Sequence, residues 1–469
     1  MTNINWKQEV ESRQDAMLED LKDLLRIRSV REDDKATAGA PFGPGPKAAL
    51  DFMMAMGEKD GFTTKVIEDV AGHIEYGQGE EIVGILGHVD VVPEGNGWES
   101  APYEPEMRDG KLFARGVSDD KGPTMAAYYG LKIIKELGLP VSKKIRFFIG
   151  SDEESGMSCL KTYLKNEQMP TIAFAPDAEF PIINTEKGIS SVDVSFENNR
   201  PAEKGEFELE AFTAGERYNM VAADASATLT KVGDTASMMV AFNKYIDANT
   251  ALEGSIEATD DTITVSVIGK SAHAMEPRNG VNAGLALLHF LSGYDIAGSA
   301  NDFVSFAMKY LYDDTRAEHF GIAAEDESGD LTMNVGLLSF GKDGGKFGLN
   351  FRYPYTFDMP TAKDAIAAKA TAFNGSITLF EDEKPSHVDG DSFLVSTLAK
   401  VYEKETGEKS ELLSIGGGTY ARYLTEAVAF GAAFPGSVDT MHQKNEFSVW
   451  EDLVKASVIY AEAIYELAK

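Results

Sequence analysis

The sequence predicts an α/β protein in which a largely parallel, helix-covered sheet is interrupted by an inserted α+β domain. Three apolar stretches of strand length, residues 81–86, 144–149 and 172–175, are separated by helical stretches. This alternation is typical of a parallel sheet covered by helices. Beyond Gly188 the strands instead alternate apolar and polar residues, as half-exposed strands do. The change of pattern indicates a second domain of different architecture.

The earlier pattern returns near residue 385, and this return sets the domain bounds. We predict one domain from residues 1–187 and 385–469, with a second domain inserted at 188–384. The insert contains two groups of strands and helices, one on each side of residues 301–327. We therefore expect the insert to consist of two sub-units.

The composition predicts a cytoplasmic protein without nucleic-acid or membrane partners. The chain has 469 residues and a net charge of −32, spread along its length, which disfavours binding to nucleic acid or to an anionic membrane. Cys159 is the single cysteine, so an internal disulfide is excluded and a reducing compartment is expected. Neither a signal peptide nor an apolar run of about 18 residues is present in the sequence.

The elements before the insert follow from local patterns. Apolar residues recur at helical spacing over residues 6–27, and a Gly-Pro-rich turn at 40–46 precedes a second helix that extends to Met56. Short strands are predicted at 65–68 and 73–76. These elements lead into the first apolar strand.

The remaining elements alternate between strands and helices. Further strands are predicted at 189–196, 262–268, 331–340, 346–353 and 376–380. Helices are predicted at 124–137, 222–230, 236–246, 281–291, 361–373 and 447–467.

Acidic and imidazole side chains follow the three apolar strands. His88 comes directly after the first strand, Glu153 and Glu154 after the second, and Asp177 after the third. The carboxyl ends of parallel strands are where open α/β sheets bind ligands. Together with Asp119 and the distant His442, these groups supply two imidazoles and several carboxylates. That set is expected of a site for two zinc-like ions.

Asp90 is placed to orient His88. It follows the histidine by two positions and lies on the same side of an extended chain. Its carboxylate can accept the second ring N–H of His88, which leaves the other ring nitrogen for a metal.

Five motifs in order resemble those of the M20 family of di-zinc aminoacylases and peptidases. They are Gly-His-Val-Asp-Val-Val-Pro at 87–93, Arg-Gly-Val-Ser-Asp-Asp-Lys-Gly at 115–122, Asp-Glu-Glu-Ser-Gly at 152–156, Ala-Pro-Asp at 175–177 and Met-His-Gln at 441–443. The whole chain is most similar to the PepV-type dipeptidases of lactic acid bacteria. The resemblance implies a catalytic domain with an inserted lid domain.

The resemblance also implies a role for each residue of the site. His88 and Asp177 would hold one metal, Glu154 and His442 the other, and Asp119 would bridge them. The peptide bond from Asp119 to Asp120 is expected to be cis. The metals would be two Zn²⁺ per chain, with Mn²⁺ or Co²⁺ as alternatives. Asp90 would orient His88, and Glu153 would be the general base for a water that bridges the metals.

Three residues of the insert, together with Gly416 beyond it, match lid and substrate-binding positions of the family. His273, in Gly-Lys-Ser-Ala-His-Ala, would be the lid histidine that stabilises the oxyanion. Asn219 and Arg352 would bind the carboxylate end of the substrate, to which the planar guanidinium of arginine is suited. Gly416 would line the same pocket with a backbone N–H, although the glycines at 416–418 could equally form a tight turn.

The implied reaction is metal-dependent hydrolysis of dipeptides that have a free amino terminus, by a dipeptidase or aminopeptidase. Related exopeptidases often carry Glu where this chain has Asp177, and the PepV-type dipeptidases carry Asp, which favours a dipeptidase. An N-acyl amino acid deacylase or desuccinylase on the same scaffold is the alternative. A non-catalytic peptide-binding relative is a remote one, because such a relative is expected to lose Glu153. The size of the insert predicts a monomer.

Overall fold

The computed structural model describes residues 4–199, 205–231 and 233–469. The helices are α1 Trp6–Glu11, α2 Gln14–Leu25, α3 Pro44–Lys59, α4 Lys121–Glu136, α5 Ser158–Asn166, α6 Thr235–Ala248, α7 Ala283–Leu291, α8 Ser299–Tyr310, α9 Met359–Thr371, α10 Phe393–Thr406 and α11 Trp450–Ala468. Short 3-10 helices span Asp33–Lys35, Pro277–Asn279 and Tyr420–Tyr423.

The strands are β1 Thr63–Ile67, β2 Ala71–Tyr76, β3 Ile82–His88, β4 Glu106–Arg108, β5 Lys111–Phe113, β6 Lys144–Gly150, β7 Ile172–Ala175, β8 Ala178–Glu179, β9 Ile182–Glu186, β10 Gly188–Phe196, β11 Phe207–Ala214, β12 Asp224–Lys231, β13 Glu253–Ala258, β14 Thr262–Ile268, β15 Glu325–Asp326, β16 Gly329–Asp330, β17 Thr332–Gly341, β18 Gly344–Tyr353, β19 Gly375–Glu383, β20 Ser386–His387, β21 Leu412–Ile415, β22 Ala427–Ala429, β23 Ala432–Ala433 and β24 Phe447–Val449.

The chain forms two compact units. Unit 1 comprises Met1–Thr185, Ser386–Ser414 and Gly418–Lys469. Unit 2 comprises Glu186–Pro385 and Ile415–Gly417. No helix in the described part of the chain is long and apolar enough to cross a membrane.

Unit 1 is built on a sheet with the strand order β1-β2-β6-β3-β7-β22-β9-β20, in which β21 also pairs with β9. Its centre is parallel, because β3 pairs in parallel with both β6 and β7, and β7 pairs in parallel with β22. Towards the edges, β1, β2 and β9 pair antiparallel to their neighbours. The predicted α/β fold class is confirmed, and the parallel strands form the centre of the sheet.

The two faces of this sheet belong to separate hydrophobic cores. Val83 and Phe147 pack into the larger core, which includes residues of α1–α4, α10 and α11. Leu86 and Phe148, of the opposite parity, pack into a smaller core with residues of α5 and the 3-10 helix at Tyr420. Because successive side chains of a strand point to opposite faces, burial on both faces explains why these strands read as continuous apolar runs.

Unit 2 is an antiparallel sheet with the strand order β13-β14-β12-β11-β17-β18-β10-β19. Helices α6–α9 pack with it around one hydrophobic core. Strands from both sides of residues 301–327 are interleaved, since β11 pairs with β17 and β10 lies between β18 and β19. The two groups predicted in the insert therefore share one sheet and one core.

Some predicted elements are wrong or were missed. The segment predicted as a helix at 222–230 contains strand β12, in which Ala225, Ala227 and Leu229 are buried and the residues between them are half-buried. The helix predicted over 6–27 is divided into α1 and α2, because the chain turns at residues 12–13. Strands β11 and β13 and helix α8 were not predicted. Alanines favour helices, but pairing with β11 and β14 decides the conformation of β12.

Candidate metal centre

The carboxyl ends of β3, β6 and β7 bring the first group of predicted ligands together. His88 is the last residue of β3, and it lies opposite Gly150, the last residue of β6. Glu154 lies in the turn that follows β6, and Asp177 comes two residues after β7. Parallel strands that end level with one another place these side chains at one edge of the sheet.

Asp119 lies between the two imidazoles of the site. Its Oδ1 is 3.1 Å from Nε2 of His88, and its Oδ2 is 2.9 Å from Nε2 of His442. One carboxylate thus presents a separate oxygen to each histidine. The peptide bond from Asp119 to Asp120 is cis, as the resemblance implies.

Two further carboxylates complete two groups of potential ligands. Glu154 Oε2 is 3.1 Å from Nε2 of His442, and Asp177 Oδ2 is 3.7 Å from Nε2 of His88. Ligand atoms lie within 4.8 Å of one another in each of two groups, which are His88 with Asp120 and Asp177, and Asp119 with Glu154 and His442. All five residues predicted to bind metal are therefore brought together, and Asp120 joins them.

The donor set fits divalent cations. Imidazole nitrogens and carboxylate oxygens are the ligands that zinc uses in proteins. Oε1 of Glu154 and Oδ1 of Asp120 are buried and have no hydrogen-bond partner among the described residues. Buried carboxylate oxygens are normally paired, and a bound cation would satisfy them.

The electrostatics of the site point the same way. Burial raises the pKa of Glu154 to about 7, and the negative charge of Asp119 adds to this shift. Burial also raises the pKa of Asp177 to about 6. Burial alone would lower the pKa of His442, but its contacts with Asp119 and Glu154 raise that pKa to about 11. The site is thus an excess of buried negative charge that a cation would balance.

Asp90 anchors the turn that carries Glu153 and Glu154. Its two carboxylate oxygens accept the backbone N–H groups of Glu153 at 3.0 Å and of Glu154 at 3.1 Å. Nδ1 of His88 is 3.1 Å from the backbone carbonyl oxygen of Asp90 and 3.4 Å from its carboxylate. The ring of His88 therefore lies against both acceptors of Asp90, with the carbonyl nearer than the predicted carboxylate.

Sequence reasoning missed two buried residues beside the ligands. Oδ2 of Asp120 accepts the backbone N–H of His88 at 3.1 Å and the hydroxyl of Thr124 at 2.8 Å. Lys121 donates to the backbone carbonyls of Leu24 at 3.2 Å and Ile27 at 2.7 Å, and burial lowers its pKa to about 7. The sequence signal for these two residues was the run of two aspartates and a lysine at 119–121. Residue spacing alone does not predict which group each of these side chains contacts.

In unit 2 the structure places Asn219 beside His273. The backbone N–H of Ala274 donates to the carbonyl of Asn219 at 2.9 Å, and Met220 forms a β-bridge with His273. Both Asn219 and His273 are exposed. The backbone N–H of Met275 donates to Nδ1 of His273 at 3.2 Å, so a neutral ring carries its proton on Nε2.

Arg352 and Gly416 are also neighbours in unit 2. Nη1 of the buried Arg352 donates to the carbonyl of Gly416 at 2.7 Å, and its Nε donates to Oδ1 of Asn350 at 3.0 Å. A Cβ added at Gly416 would lie 3.0 Å from the side chain of Met275, two residues after His273. The four predicted substrate-binding residues thus gather in one region of unit 2, where Gly416 offers its carbonyl to Arg352.

The sequence matches a known protein family along most of its length. The model of Peptidase family M20/M25/M40 covers residues 84–466. The chain belongs to this family. It is therefore a peptidase, and membership accounts for the order of the five motifs.

Two bacterial relatives are similar to this chain in sequence over nearly its whole length. "Putative dipeptidase YtjP" of Bacillus subtilis is 44% identical over 468 residues, which is 99% of this chain and 100% of that protein. "Putative dipeptidase" of Staphylococcus epidermidis is 44% identical over 465 residues, which is 98% of this chain and 99% of that protein. The match extends through both units.

Solved M20 structures share the fold at low sequence identity. The metallo-carboxypeptidase Sso-CP2 from Sulfolobus solfataricus is 18% identical with a TM-score of 0.59, over 96% of this chain and 99% of that one. Human carnosine dipeptidase 1 is 13% identical with a TM-score of 0.58, over 98% of each chain. At this distance the likeness supports the fold alone.

Proposed function

We propose that this M20 peptidase is a metal-dependent dipeptidase that acts on dipeptides with a free amino terminus. The observation that carries the proposal is Asp119, whose two oxygens lie 3.1 and 2.9 Å from the Nε2 atoms of His88 and His442. The dipeptide substrate is supported by relatives at 44% identity whose names describe dipeptidases.

In this proposal His88 and Asp177 would hold one Zn²⁺, Glu154 and His442 would hold a second, and Asp119 would serve both. Mn²⁺ and Co²⁺ are alternatives, because the same ligands accept them. When bound, such ions polarise the scissile carbonyl and make water a stronger acid. The pairing is supported by the distances of Glu154 from His442, 3.1 Å, and of Asp177 from His88, 3.7 Å.

Glu153 acts as the general base. It takes a proton from the attacking water and delivers it to the leaving amine nitrogen. Its backbone N–H donates to the carboxylate of Asp90 at 3.0 Å, which fixes the backbone of Glu153 next to the metal ligands. Burial raises the pKa of Glu153 well above its usual range, with the charge of Asp177 adding to the shift, and a raised pKa suits a group that must carry a proton.

The residues of unit 2 bind the substrate. Nε2–H of His273 donates to the oxygen of the scissile carbonyl as negative charge develops on it. The N–H of Met275 donates to Nδ1 of this ring, so the neutral ring carries its proton on Nε2, as this role requires. Arg352 and Asn219 bind the carboxylate end of the dipeptide, with Gly416 beside them. The bonds of Arg352 to Asn350 and Gly416 fix the plane of its guanidinium. Unit 2 is thus the proposed lid, in a cytoplasmic enzyme that works as a monomer.

The deciding experiment is a substrate panel assayed with the purified protein. Dipeptides should be cleaved faster than tripeptides, and an N-acetylated copy of the best dipeptide should be cleaved poorly. Activity should disappear after chelation and return when Zn²⁺, Mn²⁺ or Co²⁺ is added. Faster hydrolysis of N-acyl or N-succinyl amino acids would indicate a deacylase instead. Metal-loaded protein that binds these compounds and cleaves none of them would indicate a non-catalytic relative.

A further inference from the structure

A buried carboxylate outside the predicted site, Glu446, binds the backbone next to the proposed bridging ligand. Its Oε1 accepts the N–H groups of Ser118 at 2.8 Å and of Asp119 at 3.2 Å. Its Oε2 accepts the N–H of Gly116 at 3.0 Å and Nη1 of Arg115 at 2.6 Å. Each oxygen therefore has two donors, which is the full capacity of a carboxylate.

Arg115 connects this carboxylate to a third segment of unit 1. The side chains of Arg115 and Glu446 are 2% and 1% exposed, so the ion pair is buried. Nη2 of Arg115 lies 3.3 Å from the carbonyl oxygen of Pro93 and 3.4 Å from that of Glu94, and its guanidinium lies 5.3 Å from the ring of Trp98. The pair thus joins the loop after β3 to the segment that leads to Asp119.

Glu446 also belongs to the segment that carries His442, four residues earlier. The hydroxyl of Thr440 donates to the carbonyl of Phe447 at 3.1 Å and accepts its N–H at 3.2 Å, which closes this segment on itself. The carbonyl of Glu446 accepts the N–H of Ala114 at 3.2 Å, and the hydroxyl of Ser118 donates to the carbonyl of Phe447 at 2.8 Å. One side chain therefore fixes the backbone of Asp119 relative to the loop of His442.

We propose that Glu446 is a positioning residue that holds Asp119 and His442 together for the second metal, which these residues share with Glu154. This inference rests on the proposed two-metal site. His88 ends strand β3 and Asp177 follows β7, so their positions are set by the sheet. Loss of the Glu446 carboxylate should consequently weaken the metal site of His442 and Glu154 more than the site of His88 and Asp177. The second of these sites shares only Asp119 with the first.

Glu446→Gln is the informative substitution because it keeps the volume and removes one acceptor. The amide has a single oxygen, so its NH₂ group must face either the two N–H groups of Ser118 and Asp119 or those of Gly116 and Arg115. The amide NH₂ then faces backbone or guanidinium N–H donors in a buried site, so the segment that carries those donors must move. Mutation of a residue that orients a metal ligand typically lowers metal affinity by about 10–100-fold.

The test is a titration of metal-free protein with Co²⁺, followed by its visible absorption and by calorimetry. Wild-type protein should bind two ions, and Glu446→Gln should bind one with near-normal affinity and the second about 10–100-fold more weakly. The matched control is Glu75→Gln, which removes the carboxylate 2.6 Å from Arg146, four residues before the carboxyl end of β6. This control should bind two ions as the wild type does.

Three results would overturn the inference. One is a Glu446→Gln protein that binds both ions as the wild type does. Another is an equal loss of the second ion in Glu75→Gln, which would reveal a general effect of destabilisation. If Glu446→Gln does not fold, Glu446→Asp is used instead, because it keeps the charge and has a shorter side chain. Normal binding of both ions by Glu446→Asp is the third result. A wild-type protein that binds fewer than two ions would instead overturn the two-metal proposal itself.

Discussion

Glu153 and Glu154 are adjacent, yet the proposed mechanism gives them different roles. Asp90 holds both backbone N–H groups, so the turn is fixed as one piece. Glu154 points an oxygen at His442, 3.1 Å away, as a shared ligand would. The pKa of Glu153 is raised by burial and then by the charge of Asp177, as suits a base. Neighbouring carboxylates thus separate into a ligand and a proton carrier in the proposed mechanism.

Glu153→Gln should therefore retain two metals and lose most of its turnover. The amide cannot accept the proton of water, and removal of a general base commonly lowers kcat by about 10²–10⁴-fold. Metal content by mass spectrometry and kcat on the best dipeptide measure the two effects. Glu154→Gln is the matched control and should lose a metal instead. A near-normal kcat in Glu153→Gln would assign the base elsewhere.

His73 offers a test of pH dependence away from the metal ligands. It is buried, and its Nδ1 lies 2.7 Å from the hydroxyl of Tyr163. Burial, followed by the positive charge of Arg146, lowers its pKa to about 4 from an ordinary value of 6.5. Between these two values the unfolded chain binds a proton that the folded chain does not. Stability present above pH 6.5 is therefore lost as the pH falls towards 4.

Replacement of His73 by Gln should flatten the loss of stability in acid. The full effect of the histidine is at most about 3 kcal/mol, from the size of its pKa shift. The loss of stability is measured by thermal unfolding of metal-free protein at pH 7.5 and 5.0. Tryptophan fluorescence reports this unfolding, because Trp6, Trp98 and Trp450 all lie in unit 1 with His73. An equal fall in Tm for both proteins would remove His73 as the cause.

At the scale of elements, strand β3 and helix α4 approach closely at Gly87. A Cβ added there would lie 2.2 Å from Oγ1 of Thr124, whose hydroxyl donates to Asp120. Gly87→Ala should therefore displace α4 and the residues just before it, at a cost of about 1–3 kcal/mol, and weaken metal binding. Gly39→Ala, with nothing within 4 Å of the added Cβ, is the control. Unchanged Tm and metal affinity in Gly87→Ala would contradict this account.

The elements also show what the sequence could and could not predict. Strands β3, β6 and β7 were recognisable because burial on both faces makes them continuously apolar, and their ends located His88, Glu154 and Asp177. Strand β12 was mistaken for a helix, since its pairing with β11 and with the later strand β14 outweighs local propensity. Glu446 was missed for a related reason, because its donors lie more than 300 residues earlier.

At the scale of the whole molecule, the interleaved sheet of unit 2 bears on assembly. Residues 212–214 of β11 pair with β17 within the same chain, so this end of β11 is not left as an edge that could pair with another molecule. We therefore expect a monomer at micromolar concentrations. Sedimentation equilibrium should give a mass near 50.9 kDa, the mass of one chain. A mass twice that value would contradict the expectation.

The same argument predicts that His273 serves the metals of its own chain. Each of the variants His273→Ala and Glu153→Gln should be inactive alone and should remain inactive when the two are mixed. Recovery of activity on mixing would show that the histidine works across chains. A mixture of wild-type protein with Glu153→Gln controls for inhibition by the variant.

The dispersal of the metal centre along the chain has a consequence for biosynthesis. The proposed ligands extend from His88 to His442, and α11, at 450–468, packs into the same hydrophobic core of unit 1 as α4. During translation the whole of unit 2 emerges before His442 does. Chains usually fold domain by domain as they leave the ribosome, so unit 2 can fold while unit 1 still lacks α11. The nascent protein therefore acquires the second imidazole of the proposed site only after all of unit 2 has been synthesised.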